Sequence, residues 1–267
     1  MFENTKIISI TNQKGGVGKT TTAINLASAL VVVDKKVLVI DFDPQGNAST
    51  GLGIRQDERE ADIYSVLFGR TNIEGSIRRT AVKGLDIIPA SIDLSAAEME
   101  LGQTSEQTLR LKYIIEAAPG LGRYDFILID CPPALGFLTL NSLAASDSVL
   151  VPLQCEFYAL EGISHLMNTI QMVQERVNRG LSIEGVVLTM FDRRNKLSEL
   201  VEKDVRECFG DLVFDTIIPR NVRVSEAPSH GKPVLLYDST CVGAQSYINL
   251  AAEFIVRQQG IRRLAAA

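Results

Sequence analysis

The sequence predicts an α/β fold: a three-layer α/β/α sandwich around a mostly parallel, twisted sheet. Three observations carry this prediction. Short β-branched runs alternate with longer helix-compatible segments, the pattern of βαβ units joined by right-handed crossovers. Several runs are apolar without alternation, as strands buried on both faces are. The chain has 267 residues, 46% of them hydrophobic and 22% charged. That is ordinary globular composition with enough chain for a real core, and it excludes disorder, collagen and coiled coil.

In chain order the predicted strands are Ile7–Thr11, Val37–Asp41, Leu85–Pro89, Phe126–Asp130, Ser148–Pro152, Gly185–Met190 and Val213–Ile218. Between them fall the predicted helices Thr20–Val33, Ile63–Leu67, Leu94–Leu101, Ser105–Ala117, Gly136–Ala145, Glu161–Arg179, Lys196–Phe209 and Gly243–Gln259. No repeat, low-complexity tract or linker divides them. Residues 1–259 are therefore expected to form one domain, and 260–267 a tail that is disordered or in part not native.

Lys plus Arg is 27 and Asp plus Glu is 32, a formal charge of −5. This excludes a histone-like, globally basic DNA binder but leaves room for a local basic patch. The four cysteines lie far apart, without a CxxC pair, which fits neither a disulfide framework nor a zinc site. A reducing cytoplasm is the expected compartment. The first residues lack a secretory signal, and no stretch reaches the roughly 18 apolar residues that span a bilayer.

The strongest chemical signal is Asn12-Gln13-Lys14-Gly15-Gly16-Val17-Gly18-Lys19-Thr20-Thr21. It joins an apolar strand to a helix-period segment, the context of a phosphate-binding loop. Glycines let consecutive backbone N–H groups point at phosphate oxygens, and the helix N-terminus adds partial positive charge. Lys19 then reaches the β- and γ-phosphates and the Thr20 hydroxyl holds Mg²⁺. The general pattern GxxxxGK[ST] is not strictly met, because Gln13 stands where its first glycine belongs. Two predicted strands end in aspartate, at Asp41 and Asp130, and carboxylates at this edge of a parallel sheet face the ligand crevice. An apolar run ending in Asp130 has the geometry of a carboxylate that holds Mg²⁺ through water.

KGGVGKTTT resembles the deviant Walker A motif of the ParA/MinD branch of P-loop ATPases, and within it the chromosomal ParA/Soj proteins. The resemblance runs from Asn12 to about Glu253. It implies a P-loop NTPase fold, ATP and Mg²⁺ as cofactors, and a loop of Lys14, Gly15, Gly16, Val17, Gly18, Lys19, Thr20 and Thr21 around the nucleotide. It also implies that Lys14 reaches across a nucleotide-sandwich homodimer to the partner's ATP. In Asp41-Phe42-Asp43-Pro44 it makes Asp43 the residue that orients the attacking water and gives Asp41, with Thr20 and Asp130, to Mg²⁺. It further implies that Pro219, Arg220 and Asn221, with Met190, line the adenine pocket.

The cluster Asp192-Arg193-Arg194-Asn195-Lys196 is by itself the composition of a solvated loop. The resemblance assigns Arg194, with Arg193 as an extra or alternative contact, to a non-specific DNA face together with Lys196 and Arg223. Dimerisation would double the phosphates contacted, and affinity depends steeply on that number. The expected protein is thus a slow DNA-segregation ATPase, cytoplasmic and nucleoid-associated. It would dimerise with ATP, bind double-stranded DNA non-specifically, and be released by hydrolysis that a ParB-like protein stimulates. Two rivals share the core: a MinD-like ATPase cycling on membranes, and an amide- or lactam-forming ligase. The first needs a C-terminal amphipathic helix, whereas Gly260 interrupts a tail of little apolar bulk. The second needs an acceptor pocket that no segment supplies.

Overall fold

The computed structural model describes residues 4–102, 105–156 and 159–265. Its sheet has seven strands in the order β3-β4-β2-β5-β1-β6-β7. These are β1 Lys6–Ile10, β2 Val37–Asp41, β3 Arg78–Arg79, β4 Leu85–Ile88, β5 Phe126–Asp130, β6 Ser148–Gln154 and β7 Ser182–Thr189. All pairs are parallel except the edge pair of β3 and β4.

The apolar runs form strands because both faces are covered. Ile8 and Ile10, Val37 and Val39, and Phe126 and Leu128 all enter one core cluster. Their neighbours Ile7, Leu38, Ile40, Ile127 and Ile129 enter a second on the opposite face. Successive side chains of a strand point to opposite faces, so a continuous apolar run is what a middle layer requires. A third cluster surrounds β6 and β7. The expected three-layer sandwich is what the chain forms.

The helices follow as α1 Lys19–Val32, α2 Asn47–Gly51, α3 Ile63–Leu67, α4 Ala97–Leu101, α5 Ser105–Thr108, α6 Arg110–Glu116, α7 Phe137–Ala145, α8 Ala159–Arg176, α9 Lys196–Phe209, α10 Val222–Glu226, α11 Val234–Tyr237 and α12 Val242–Ala265. On one face α12 packs on α1, with Phe254 edge-on to Phe126 of β5 at 5.3 Å between ring centroids. No helix among the described residues is long and apolar enough to cross a membrane.

The expectations fail in instructive places. Val213–Ile218 is not a strand; it runs beside β7 with isolated bridges, Val213 to Val186 and Pro219 to Phe191. The Glu253 carboxylate of α12 accepts the amides of Asp215 and Thr216, each at 2.9 Å. A side chain thus takes donors that a ladder would need. The helix expected over Ser105–Ala117 is broken at Leu109, where the Asn141 side chain of α7 accepts the Leu111 amide at 3.2 Å. The Leu94–Leu101 expectation resolves into a 3₁₀ turn, Ile92–Ala96, followed by α4. At the end of the chain α12 continues past Gly260, where the tail was expected to begin. The edge strand β3 and the short α2, α10 and α11 were not foreseen.

Candidate functional site

The register of the central strands builds the acidic end of the site. Asp41 and Asp130 are direct partners on β2 and β5, and Ile10 of β1 is the next partner of Asp130. Two carboxylates therefore stand on adjacent strands at the edge where β1 runs into the glycine loop. Asp41 is fully buried and accepts from the Ser49 amide at 2.7 Å and the Ser49 hydroxyl at 2.6 Å. Even so, burial pushes its pKa up to about 6, and the charge of Asp43 adds to the rise. Both oxygens of Asp130 are buried without a hydrogen-bond partner. Its pKa lies well above the ordinary carboxylate range, from burial first and then from Asp41, while Thr20 and Lys19 pull it down.

Above these carboxylates the loop turns through Gly16 and Gly18, at φ 76° and 87°. Those are left-handed angles that residues with a Cβ resist. Gly18 caps α1 and brings no side-chain acceptor, and the first turn of α1 has no acidic residue. Its leading N–H groups therefore remain donors for an anion. Lys19 is nearly buried and its Nζ donates to the Lys14 carbonyl at 2.9 Å. Burial lowers its pKa, against the attraction of Asp130 and Asp43.

A pocket of about 810 Å³ opens over this loop. Its wall joins Gly15, Gly16, Gly18, Lys19, Thr20, Thr21 and Asp43 to Met190, Pro219, Arg220 and Asn221. Two distant parts of the predicted site therefore share one cavity. Met190 and the Pro219–Asn221 segment are brought together because Phe191 donates to the Ile218 carbonyl at 3.1 Å and Arg220 to the Phe191 carbonyl at 3.0 Å. Met190, at the turn out of β7, holds a left-handed φ of 48°. Asn221 caps α10 by accepting from the Val224 amide at 3.3 Å. The remaining predicted residues stand elsewhere. Val17 is buried and its carbonyl accepts from Thr189 at 2.8 Å. Asp41 and Asp130 are buried and not among the residues that line the cavity, and the Lys14 ammonium is paired with Glu156.

The predicted basic face is exposed but largely self-neutralised. Arg194, 89% exposed, forms a two-pronged pair with Asp192, Nε to Oδ1 at 2.9 Å and Nη2 to Oδ2 at 2.8 Å. That pairing holds Asp192 down at about 2. Arg223 pairs with Glu226 at 3.0 Å and Asp238 at 3.5 Å. Arg193 and Lys196 are exposed beside Arg194.

Among the described residues no group of three or more His, Cys, Asp or Glu side chains is arranged to hold a metal alone. A cation here would need phosphate oxygens or water to complete its ligands. The unpartnered Asp130 carboxylate and the nearby Thr20 hydroxyl fit such a shared site. Asp41 fits less directly, since Ser49 occupies it.

Several residues of the site were not foreseen from the sequence. Gln45, Asn47, Thr189 and Val222 also line the cavity, and Glu156 meets Lys14 from just beyond β6. Gln45 and Asn47 adjoin the Asp43 turn, so proximity in sequence would have flagged them. Nothing local would have flagged Glu156.

Residues 5–183 match the family model described as an AAA domain. The chain is 56% identical over 261 residues to the chromosome partitioning protein ParA of Caulobacter vibrioides (strain NA1000 / CB15N), covering 98% of both chains. It is 53% identical over 248 residues to the sporulation initiation inhibitor protein Soj of Bacillus subtilis (strain 168), covering 93% of this chain and 97% of that one. Among solved structures it is similar to cobyrinic acid a,c-diamide synthase from Mycobacterium smegmatis with bound ADP and magnesium. The TM-score there is 0.80, with 34% identity and 93% of each chain covered.

Proposed function

The chain belongs to the ParA/Soj family of chromosome-partitioning proteins, and from that premise we propose that it is an ATP-dependent DNA-segregation ATPase. ATP lies in the 810 Å³ pocket, its phosphates on the glycine loop and its base between Met190 and the Pro219–Asn221 segment. Thr20 and Asp130 would hold Mg²⁺, and the ion would supply charge neutralisation for phosphoryl transfer. Lys19 donates to the β- and γ-oxygens. Asp43, almost buried at 7% exposure, accepts from the attacking water and holds it in line. Lys14 of each protomer serves the nucleotide of the other, so the site is complete only in the ATP-bound homodimer. Catalysis of this kind is positioning and charge stabilisation, with no covalent nucleophile.

One observation carries the link to DNA. The backbone pairing of Phe191 with Ile218 and Arg220 makes the wall against the base continuous with the loops that bear Arg193, Arg194, Lys196 and Arg223. A nucleotide that orders this wall also orders the cations beyond it. Dimerisation then duplicates the basic face, which gives the ATP state its advantage on DNA. Hydrolysis, stimulated by a ParB-like partner, returns monomers that let go. On this reading the protein works in the cytoplasm, on the nucleoid.

The test is binding to a non-specific DNA duplex with ATP–Mg²⁺, ADP–Mg²⁺ or no nucleotide, across a salt series. Tight, salt-sensitive binding confined to ATP is expected. ATP hydrolysis with no DNA binding in any state would overturn the proposal. The similarity to a diamide synthase favours one second reading, ATP-driven amide formation, which predicts phosphate release that depends on an added carboxylate substrate and ammonia donor.

A further inference from the structure

In the single chain Lys14 is held away from the pocket. Its ammonium is paired with Glu156 just beyond β6, and it is absent from the pocket wall. The backbone around it is fixed on both sides. The Lys14 amide donates to Asn12 Oδ1 at 3.0 Å, and the Lys14 carbonyl accepts from Lys19 Nζ at 2.9 Å. The preceding residues are tied to β6 and α8: Asn12 Nδ2 donates to the Pro152 carbonyl of β6 at 2.8 Å, and Gln13 Nε2 to the Gly162 carbonyl of α8 at 2.9 Å. Glu156 is held in turn, its amide donating to the Gln154 carbonyl at 2.9 Å and its Oε1 accepting from the Gln154 side chain. The loop and the β6 exit thus form one framework in which the Lys14 side chain is the part free to move. The two partners are 37% and 44% exposed, so the pair opens without unfolding anything.

We propose that Glu156 is a latch on Lys14: in the single chain it retains the lysine, and dimerisation proceeds by each protomer exchanging this carboxylate for the phosphates of its partner's nucleotide. The inference rests on the cross-subunit role of Lys14 proposed above. Glu156 is a positioning residue and touches no substrate. Its effect follows from competition, because a lysine held by Glu156 is withdrawn from the dimer contact. Half-exposed ion pairs favour their closed form by about two- to five-fold. The open fraction is then about one third to one sixth, and two latches open for each dimer, so their loss strengthens dimerisation by about nine- to thirty-six-fold.

The experiment measures the dimer dissociation constant of the full chain by sedimentation, with a non-hydrolysable ATP analogue and Mg²⁺. Wild type, Glu156→Gln, Glu156→Ala, Lys14→Ala and Lys14→Ala/Glu156→Gln are compared at low and high salt. The latch predicts tighter dimers for both Glu156 variants, a gap that narrows as salt screens the pair, and unchanged ADP affinity of the monomer. It also predicts that Glu156→Gln changes nothing once Lys14 is alanine. Equal or weaker dimers in both Glu156 variants would overturn it, and so would tightening that persists without Lys14. A wild-type chain that fails to dimerise with the analogue would instead overturn the sandwich-dimer reading and take the latch with it.

Discussion

A carboxylate with both oxygens buried and unpartnered, as in Asp130, destabilises the chain that carries it unless a cation or a proton compensates. Asp130→Asn is therefore expected to raise the melting temperature of the nucleotide- and metal-free protein by about 2–8 °C, for a gain of about 1–2 kcal/mol, while Mg²⁺-dependent hydrolysis is lost. An unchanged or lower melting temperature would mean that the carboxylate is already satisfied. Asp41 makes a pH prediction. Its pKa rises from 3.8 to about 6 in the fold, so between those values the folded chain keeps a proton that the unfolded chain has lost. Stability from this group is then present below about 4 and declines as pH rises to about 6. Melting without metal or nucleotide from pH 4 to 7 should show the advantage of Asp41→Asn over wild type growing with pH; an advantage independent of pH would contradict it. Asp43→Ala should retain ATP binding, lose turnover and persist on DNA as a dimer. Normal hydrolysis by that variant would remove Asp43 from its role.

At the scale of elements, β7 carries a local irregularity with a clear steric cause. Its pairing with β6 shifts between Val149 and Leu150, which face Ile183 and Gly185, so Glu184 is an extra residue in the strand. Gly185 sits at φ 153°, and a Cβ there would lie 2.5 Å from the buried Phe214 ring and 2.8 Å from the Leu212 carbonyl. Gly185→Ala should cost about 1–3 kcal/mol, read as a lower denaturant midpoint; an unchanged midpoint would show that the neighbours give way. The bulge also turns Glu184 to Lys6 at 2.6 Å and to Ser148 at 2.6 Å. The strands were legible where burial on both faces made apolar runs, as in Val37–Asp41 and Phe126–Asp130. They were not legible where a distant side chain decided the outcome. Glu253 removes Val213–Ile218 from the ladder, and Asn141 breaks the helix at Leu109. No local window of sequence contains those partners.

Over the whole molecule a charge of −5 opposes DNA, so the proposed binding would depend on the small region where cations are concentrated. Much of that charge is already spent on Asp192, Glu226 and Asp238. Asp192→Asn, which keeps an acceptor for the loop but frees Arg194, should tighten ATP-dependent DNA binding several-fold. It should also steepen the salt dependence by about 0.9 in log–log slope for each arginine released. No change in slope would place the DNA elsewhere. The glycine loop that lines the cavity was legible because Lys14 to Thr21 is one unbroken string. The opposite wall was placed only through family resemblance, since Met190 and Pro219 meet across a sheet edge.

The pairing of α1 with α12 also has a consequence in time. Thr22, in the first turns after the glycine loop, meets Tyr247 across a sequence separation of 225 residues. At translation rates of about 5–20 residues per second, the ribosome makes the loop roughly 10–45 seconds before the helix that covers its support. During that interval α1 can pack on β1, β2 and β5, but the part of its surface that α12 covers has no permanent neighbour. The helix that opens from the glycine loop is therefore fully covered only once the end of the chain has been made.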